Sequence, residues 1–164
     1  MRVELKPIHS KQDIAALSPL LKTIWREVFP PIIGSAQTEY MLLNYQSPED
    51  IEREITDGAR YYFVEADGQP IGYLAYEIRE HDLFISKIYL LNSERGKGIS
   101  SQLFDWLEGL ALDAGRNRLH LHVNRDNLKA IKVYQHKGFS VVQSAVSDIG
   151  GGFVMDDYYM EKLL

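Results

Sequence analysis

Between Leu83 and Asn124 the chain reads LFISKIYLLNSERGKGISSQLFDWLEGLALDAGRNRLHLHVN. An alternating β-branched run meets a glycine-rich basic turn. An apolar stretch at helical spacing follows, then a second alternating run. Strand, helix and strand in that order form a crossover, which is right-handed in nearly all proteins and makes its two strands parallel. The residues leading into it, RYYFVEADGQPIGYLAYEIREHDLFISKIYLL, split into three β-like runs at Asp67-Gly68 and at Arg79 to Asp82. The first break is a strong hairpin signal. An antiparallel meander ending in Leu83 to Leu91 and feeding one βαβ unit implies an α/β (α+β) fold. Its sheet should be mixed, mostly antiparallel and twisted, with one central parallel crossover and helices on both faces.

The rest of the chain fits around that centre. RVEL reads as a short first strand that meets Pro7. Ser10 is placed to cap a helix, with Asp13 three residues on, close to a capping box. Ile14, Leu17, Leu21, Ile24, Trp25 and Val28 recur at helical spacing despite Pro19, and PPIIGS breaks the pattern. A second helical region runs from about Gln37 to Gln46. Ser47 then caps a third, with Pro48 at its first position, acids in its first turn and Gly58 at its end. After Asn124, NLKAIKVYQHKG reads as a helix ended by Gly138, FSVVQSAV as a strand, and IGGGFVMDDYYMEKLL as a glycine-rich turn and a final strand.

A length of 164 residues suggests one domain, 1–164. The chain has no cysteine, which excludes disulfides, thiolate zinc sites and a cysteine nucleophile. MRVELKPIHS lacks the apolar stretch of a signal peptide, and no apolar run nears the length of a membrane span. A cytoplasmic protein with no membrane partner is expected. The formal charge of −5 argues against general nucleic-acid binding and weakly favours the approach of cations.

Gly96 and Gly98 let the backbone adopt positive φ and come close to a ligand. The first amides of the helix behind them have no intrahelical partners and carry the positive end of its dipole. With Arg95 and Lys97 they make an anion site suited to a phosphate or pyrophosphate. The turn is neither a Walker loop nor a dinucleotide fingerprint. A charged strand-to-helix corner with no ligand explains it equally well.

The segment YLLNSERGKGISSQLFDWL resembles the pyrophosphate-binding segment of the GNAT superfamily of N-acetyltransferases, whose pattern is [R/Q]xxGx[G/A]. Arg95 and Gly98 match its first and fourth positions. Ser100 departs from the sixth, where serine is still small and its hydroxyl can cap or donate. LHLHVNRDNLKAIKVYQHKGF resembles the family's second half through Asn124, Asn127, Ala130, Tyr134 and Gly138-Phe139. The order of elements fits nearly the whole chain. The late glycine-rich turn and FVMDDYYMEKLL are similar to the bacterial diamine and polyamine acetyltransferase branch.

The resemblance implies transfer of an acetyl group from acetyl-CoA directly to a primary amine, with no metal. The acceptor would be a small polyamine-like amine, an amino-acid-like amine or a peptide N-terminus. The backbone of Ile88, Tyr89 and Leu90 would pair with the pantetheine amides. Arg95, Gly96, Lys97, Gly98, Ile99 and Ser100 would cradle the pyrophosphate, and Asn124 and Asn127 would lie beside the pantetheine arm. Asn127 is equally the natural N-cap of the next helix. Tyr134, close to two helical turns after Asn127, would be the general acid that protonates the leaving thiolate, the alternative being an ordinary packing aromatic. One of Lys129, Lys132 and Lys137 would reach the 3′-phosphate, although a solvated face explains all three.

For the proton lost by the amine, Glu77, His81, Asp82, His120 and His122 all stay open. His120, His122 and Asn124 share one strand face. A metal reading of His120-x-His122 lacks a third ligand in the sequence. A non-catalytic acetyl-CoA-binding regulatory domain is the competing expectation, and a homodimer through the final strands is a further one.

Overall fold

The computed structural model describes residues 2–164. Its first helix begins where side chains can satisfy the orphan amides of a helix start. Ser10 Oγ accepts from the Asp13 amide at 3.0 Å, and Asp13 Oδ2 accepts from the Ser10 and His9 amides at 3.2 and 3.1 Å. From this capping box α1 runs Lys11–Val28. A second box, Ser47 with Asp50, starts α4 at Pro48–Thr56. Between them lie α2, Pro30–Ile33, and α3, Ser35–Tyr45. PPII was expected only to break the helix. Its two prolines instead occupy the first positions of a short helix, where a missing N–H costs nothing.

Among the described residues seven strands form one sheet in the order β1-β2-β3-β4-β5-β7-β6. They are β1 Val3–Ile8, β2 Arg60–Ala66, β3 Gln69–Ile78, β4 Leu83–Leu90, β5 Arg118–Asn124, β6 Ser140–Gly150 and β7 Phe153–Leu163. β4 and β5 are the parallel pair, with Leu83, Phe84 and Ile85 opposite Leu119, His120 and Leu121. The helices of the second half are α5, Ile99–Asp113, and α6, Leu128–His136. The mixed, mostly antiparallel sheet with one parallel crossover is as expected. Two strands run longer than their sequence patterns. β1 continues through Pro7, which lies opposite Tyr62 on an edge strand where its missing donor is harmless, and β6 continues to Gly150.

The chain packs as two compact units, and β4 contributes to both. The first holds the chain up to Glu77 together with Lys87–Ile99. Its core is the α1 stripe Ile14, Leu17, Leu21, Ile24 and Trp25, with Tyr61, Phe63, Tyr73 and Leu74 of the meander. The β2–β3 hairpin turns on Asp67 (φ 51°) and Gly68 (φ 82°), the two positive angles a tight two-residue hairpin needs. Gly72 is required by crowding rather than by φ. A Cβ there would lie 2.3 Å from the Tyr89 carbonyl oxygen and 2.7 Å from Leu90 Cδ2.

The second unit holds Ile78–Ser86 and Ser100–Leu164. Leu103, Phe104, Leu107 and Ala111 of α5 are buried, as are Leu119, Leu121 and Val123 of β5 and Met160 of β7. α6 adds Ile131, and Phe139 follows it into the core. Strand β6 lies at the sheet edge, with Val141, Val142 and Val146 exposed.

Candidate functional site

The turn after β4 has the backbone that its glycines permit. A 3-10 turn at Asn92–Glu94 leads to Arg95, and Gly96 and Gly98 take φ of 74° and 79°. A Cβ at either glycine would meet nothing within 4 Å, so backbone conformation and not packing requires glycine there. Ile99 is buried and opens α5, which aims the helix's first amides at the turn. Arg95 is exposed. Lys97 Nζ lies 2.9 Å from Glu94 Oε2, which holds its charge beside the turn. The Asn92 amide donates to Glu27 Oε1 at 2.9 Å and ties the turn to α1.

Just before the turn, Leu90 is buried and Ile88 and Tyr89 are half-buried. The Tyr89 ring lies in an aromatic group with Trp25, Phe29 and Tyr73, at centroid distances of 6.2, 5.8 and 5.5 Å. Trp25 Nε1 donates to the Tyr73 hydroxyl at 2.9 Å. Lys87 is buried, and sequence reasoning missed it. Its Nζ donates to Tyr61 Oη at 2.6 Å and to Glu54 Oε1 at 2.8 Å, and Tyr61 Oη donates to the same carboxylate at 2.9 Å. Burial, with Glu54 beside it, pushes the Tyr61 phenol far above its ordinary range, so it stays a neutral donor.

In the second unit β5 and β7 set polar pairs side by side. His120 lies opposite Glu161, His122 opposite Tyr159, and Asn124 opposite Asp157. Directly opposed residues share a face, so these six form one row. His120 Nδ1 stands 3.0 Å from Glu161 Oε2, and His120 Nε2 stands 3.0 Å from His122 Nε2. The His122 ring stacks on Tyr159 at 3.8 Å and 13°. Burial, with His120 and Arg79 nearby, pushes His122 down to about 4. Burial, with Asp156 adjacent, pushes the Asp157 carboxyl up to about 6. Asp157 is only 7 % exposed. It was missed because in FVMDDYYMEKLL only the strand register separates it from its half-buried neighbours Asp156 and Tyr158.

The two asparagines have structural work. Asn124 Oδ1 accepts from the Asp126 amide at 2.9 Å, and Asn127 Oδ1 caps α6 from the Ala130 amide at 3.4 Å. The capping role expected for Asn127 is therefore present. Tyr134 is half-buried, edge-on to Phe104 at 5.8 Å and tilted against Phe139 at 6.1 Å. Its packing role is present too. Lys137 Nζ donates to Ser101 Oγ at 3.0 Å and lies 3.4 Å from Asp105.

The other base candidates differ in setting. His81 is exposed, 3.9 Å from Glu80. Glu77 lies half-buried at the end of β3. Asp82, just before β4, lies close to His120 and Glu161. Two acids of α3 and α4 are engaged internally, Glu39 by Arg26 at 2.8 Å and Asp50 by Ser47 and Arg53. Among the described residues no helix is long and apolar enough to cross a membrane.

Comparison with known proteins matches this arrangement to one family. The sequence model of the acetyltransferase (GNAT) family matches residues 20–139. An uncharacterized N-acetyltransferase of Lactobacillus delbrueckii subsp. lactis is 27% identical over 117 residues, covering 66% of this chain and 67% of its own. An uncharacterized N-acetyltransferase of Mycobacterium tuberculosis is 33% identical over 100 residues, covering 60% and 63%. The chain thus spans about two thirds of these relatives' lengths. The PaiA N-acetyltransferase of Thermoplasma acidophilum, solved in complex with coenzyme A, shares the fold with a TM-score of 0.82 over 100% of both chains at 22% identity. A GCN5-related N-acetyltransferase from Rhodopseudomonas palustris also gives 0.82, over 100% and 97% at 18% identity. With the family pattern running from α1 to Phe139 and the fold shared from end to end, the chain belongs to the acetyltransferase (GNAT) family.

Proposed function

We propose that the chain is one N-acetyltransferase domain, 1–164, that moves the acetyl group of acetyl-CoA directly to a primary amine. The Arg95 to Ser100 turn carries this reading. Its two left-handed glycines open backbone amides at the start of a helix, beside Arg95 and Lys97, which is the chemistry of a pyrophosphate cradle. The backbone of Ile88 to Leu90 then pairs with the pantetheine amides as an added strand. Asn124 and Asn127, whose side-chain oxygens are engaged by backbone, offer their amide nitrogens to the same arm.

The amine nitrogen attacks the thioester carbonyl, the tetrahedral adduct collapses, and CoA leaves as a thiolate that takes a proton from the Tyr134 hydroxyl. The amine's proton passes to Asp157, the register partner of Asn124. With its carboxyl pushed up to about 6, Asp157 is ionised at neutral pH yet basic enough to accept. The absence of cysteine removes a thioester enzyme intermediate and favours a ternary complex. The net charge of −5 favours a cationic acceptor of the polyamine type. Exposed Val141, Val142 and Val146 on the edge strand β6 support a homodimer, which V142K should dissociate in light scattering.

The test is release of free CoA thiol from acetyl-CoA with spermidine, amino acids, aminoglycosides and short peptides in turn. Release dependent on spermidine supports the reading in full, and release with another class corrects only the acceptor. Acetyl-CoA binding without release for any amine overturns it in favour of a binding domain. Tyr134→Phe should lose turnover by roughly 10²–10⁴-fold while acetyl-CoA affinity is kept. Unchanged turnover would remove Tyr134 from the mechanism.

A further inference from the structure

We propose that Asp82, His120 and Glu161 form a site for a divalent transition-metal ion. Each offers one ligand atom, and the three atoms lie within 4.8 Å of one another. They come from three successive stretches of one sheet region. Asp82 immediately precedes β4, His120 lies in β5 opposite Phe84, and Glu161 lies in β7 opposite His120. The register that aligns these strands also brings the donors together.

One observation favours an ion over a purely internal arrangement, and a second is compatible with it. Asp82 Oδ1 is buried and has no hydrogen-bond partner among the described residues. A buried carboxylate oxygen left so is costly, and a cation beside it would remove the cost. His120 Nδ1 and Glu161 Oε2 stand 3.0 Å apart. That separation is an ordinary hydrogen bond, and it is also the spacing of two donors that share one ion at bond lengths of about 2.0–2.1 Å, so an ion can replace the shared proton with little movement of either side chain.

The surroundings fit ligation as well. With its Nδ1 lone pair on the ion, His120 carries its proton on Nε2 and donates it to His122 Nε2, 3.0 Å away. A partner on the far nitrogen that fixes tautomer and ring orientation is the usual companion of a ligating histidine. Phe84 packs against both rings, at 5.8 and 5.0 Å between centroids. Arg118 Nη1 lies 3.5 Å from Glu161 Oε1, which leaves Oε2 to the ion. Two carboxylates match a divalent charge, and a mixed imidazole and carboxylate set suits zinc and its neighbours better than magnesium or calcium. The histidine pair, which lacked a third ligand in the sequence, acquires two from residues 38 positions before His120 and 41 after it.

The test uses the full chain, with Zn²⁺ as probe and a chromogenic chelator as competitor at pH 7.5. The chain has no cysteine and only five histidines, so background ligation is limited. One Zn²⁺ per chain is expected, with a zinc-dependent rise in melting temperature. His120→Gln should weaken binding by at least about 100-fold, and Asp82→Asn and Glu161→Gln by at least about 10-fold each. His136→Gln, on α6, should change nothing. Should His120→Gln fail to fold by circular dichroism, the near-isosteric Asp82→Asn decides alone. No stoichiometric zinc in the wild type, or affinity unchanged in Asp82→Asn, overturns the site.

Discussion

The two units bury charge in opposite ways. In the first, Lys87 is 8 % exposed, yet its ammonium meets a carboxylate and a phenol whose own hydrogen points to that same carboxylate. In the second, Asp82 Oδ1 has no donor among the described residues, and the environments of His122 and Asp157 favour their neutral forms. A closed network of this kind acts as structure, whereas groups held away from their preferred charge state are what a proton-transfer or ligand site requires.

The largest effect should come from opening the closed network. Glu54→Ala leaves the Lys87 ammonium buried without its counter-charge and should cost about 3 kcal/mol or more in urea unfolding. Lys87→Met removes the charge along with its partner's task and should cost under about 1 kcal/mol. Equal losses would mean that the pair is not a unit.

Asp157→Asn should move stability the other way. The folded carboxyl titrates near 6 and the unfolded one near its ordinary value of about 3.9. Between those values the folded state holds the extra proton, so stability falls as pH rises through the window and stays reduced above it. The variant should therefore gain about 1–3 kcal/mol at pH 7, gain nothing below about pH 4, and flatten the profile between. It should also lose turnover as the proposed base. A variant that loses both stability and turnover would make Asp157 a framework residue.

Gly72→Ala probes how little room the first unit has. Its methyl would meet backbone oxygen and a leucine side chain, so a loss of about 1–3 kcal/mol is expected. Because the displaced backbone is Tyr89 and Leu90, acetyl-CoA affinity should fall with it. Smallest should be Ser10→Ala, about 1 kcal/mol in thermal or urea unfolding, since it removes only an exposed cap.

Much of this was legible beforehand. The helix starts at Ser10 and Ser47, the Asp67-Gly68 hairpin, the crossover and the glycine turn rest on neighbours within about four residues in sequence. What was missed depended on pairing at a distance. Lys87 finds Glu54 from 33 positions away, and Glu161 finds His120 from 41. The alternation in RLHLHVN showed that His120, His122 and Asn124 share a face, but not what stands across from them.

Local backbone chemistry, read in order, was enough to determine the strands and all the α-helices but the short α2, where they cap and turn, and that one strand pair runs parallel. Positive φ, a missing N–H and an apolar period act within a residue's own neighbourhood. Only the tertiary structure decided which charges are buried and whether they are satisfied. Desolvation and charge pairing depend on what the register of distant strands brings within a few ångströms, and no short stretch of this sequence contains that register.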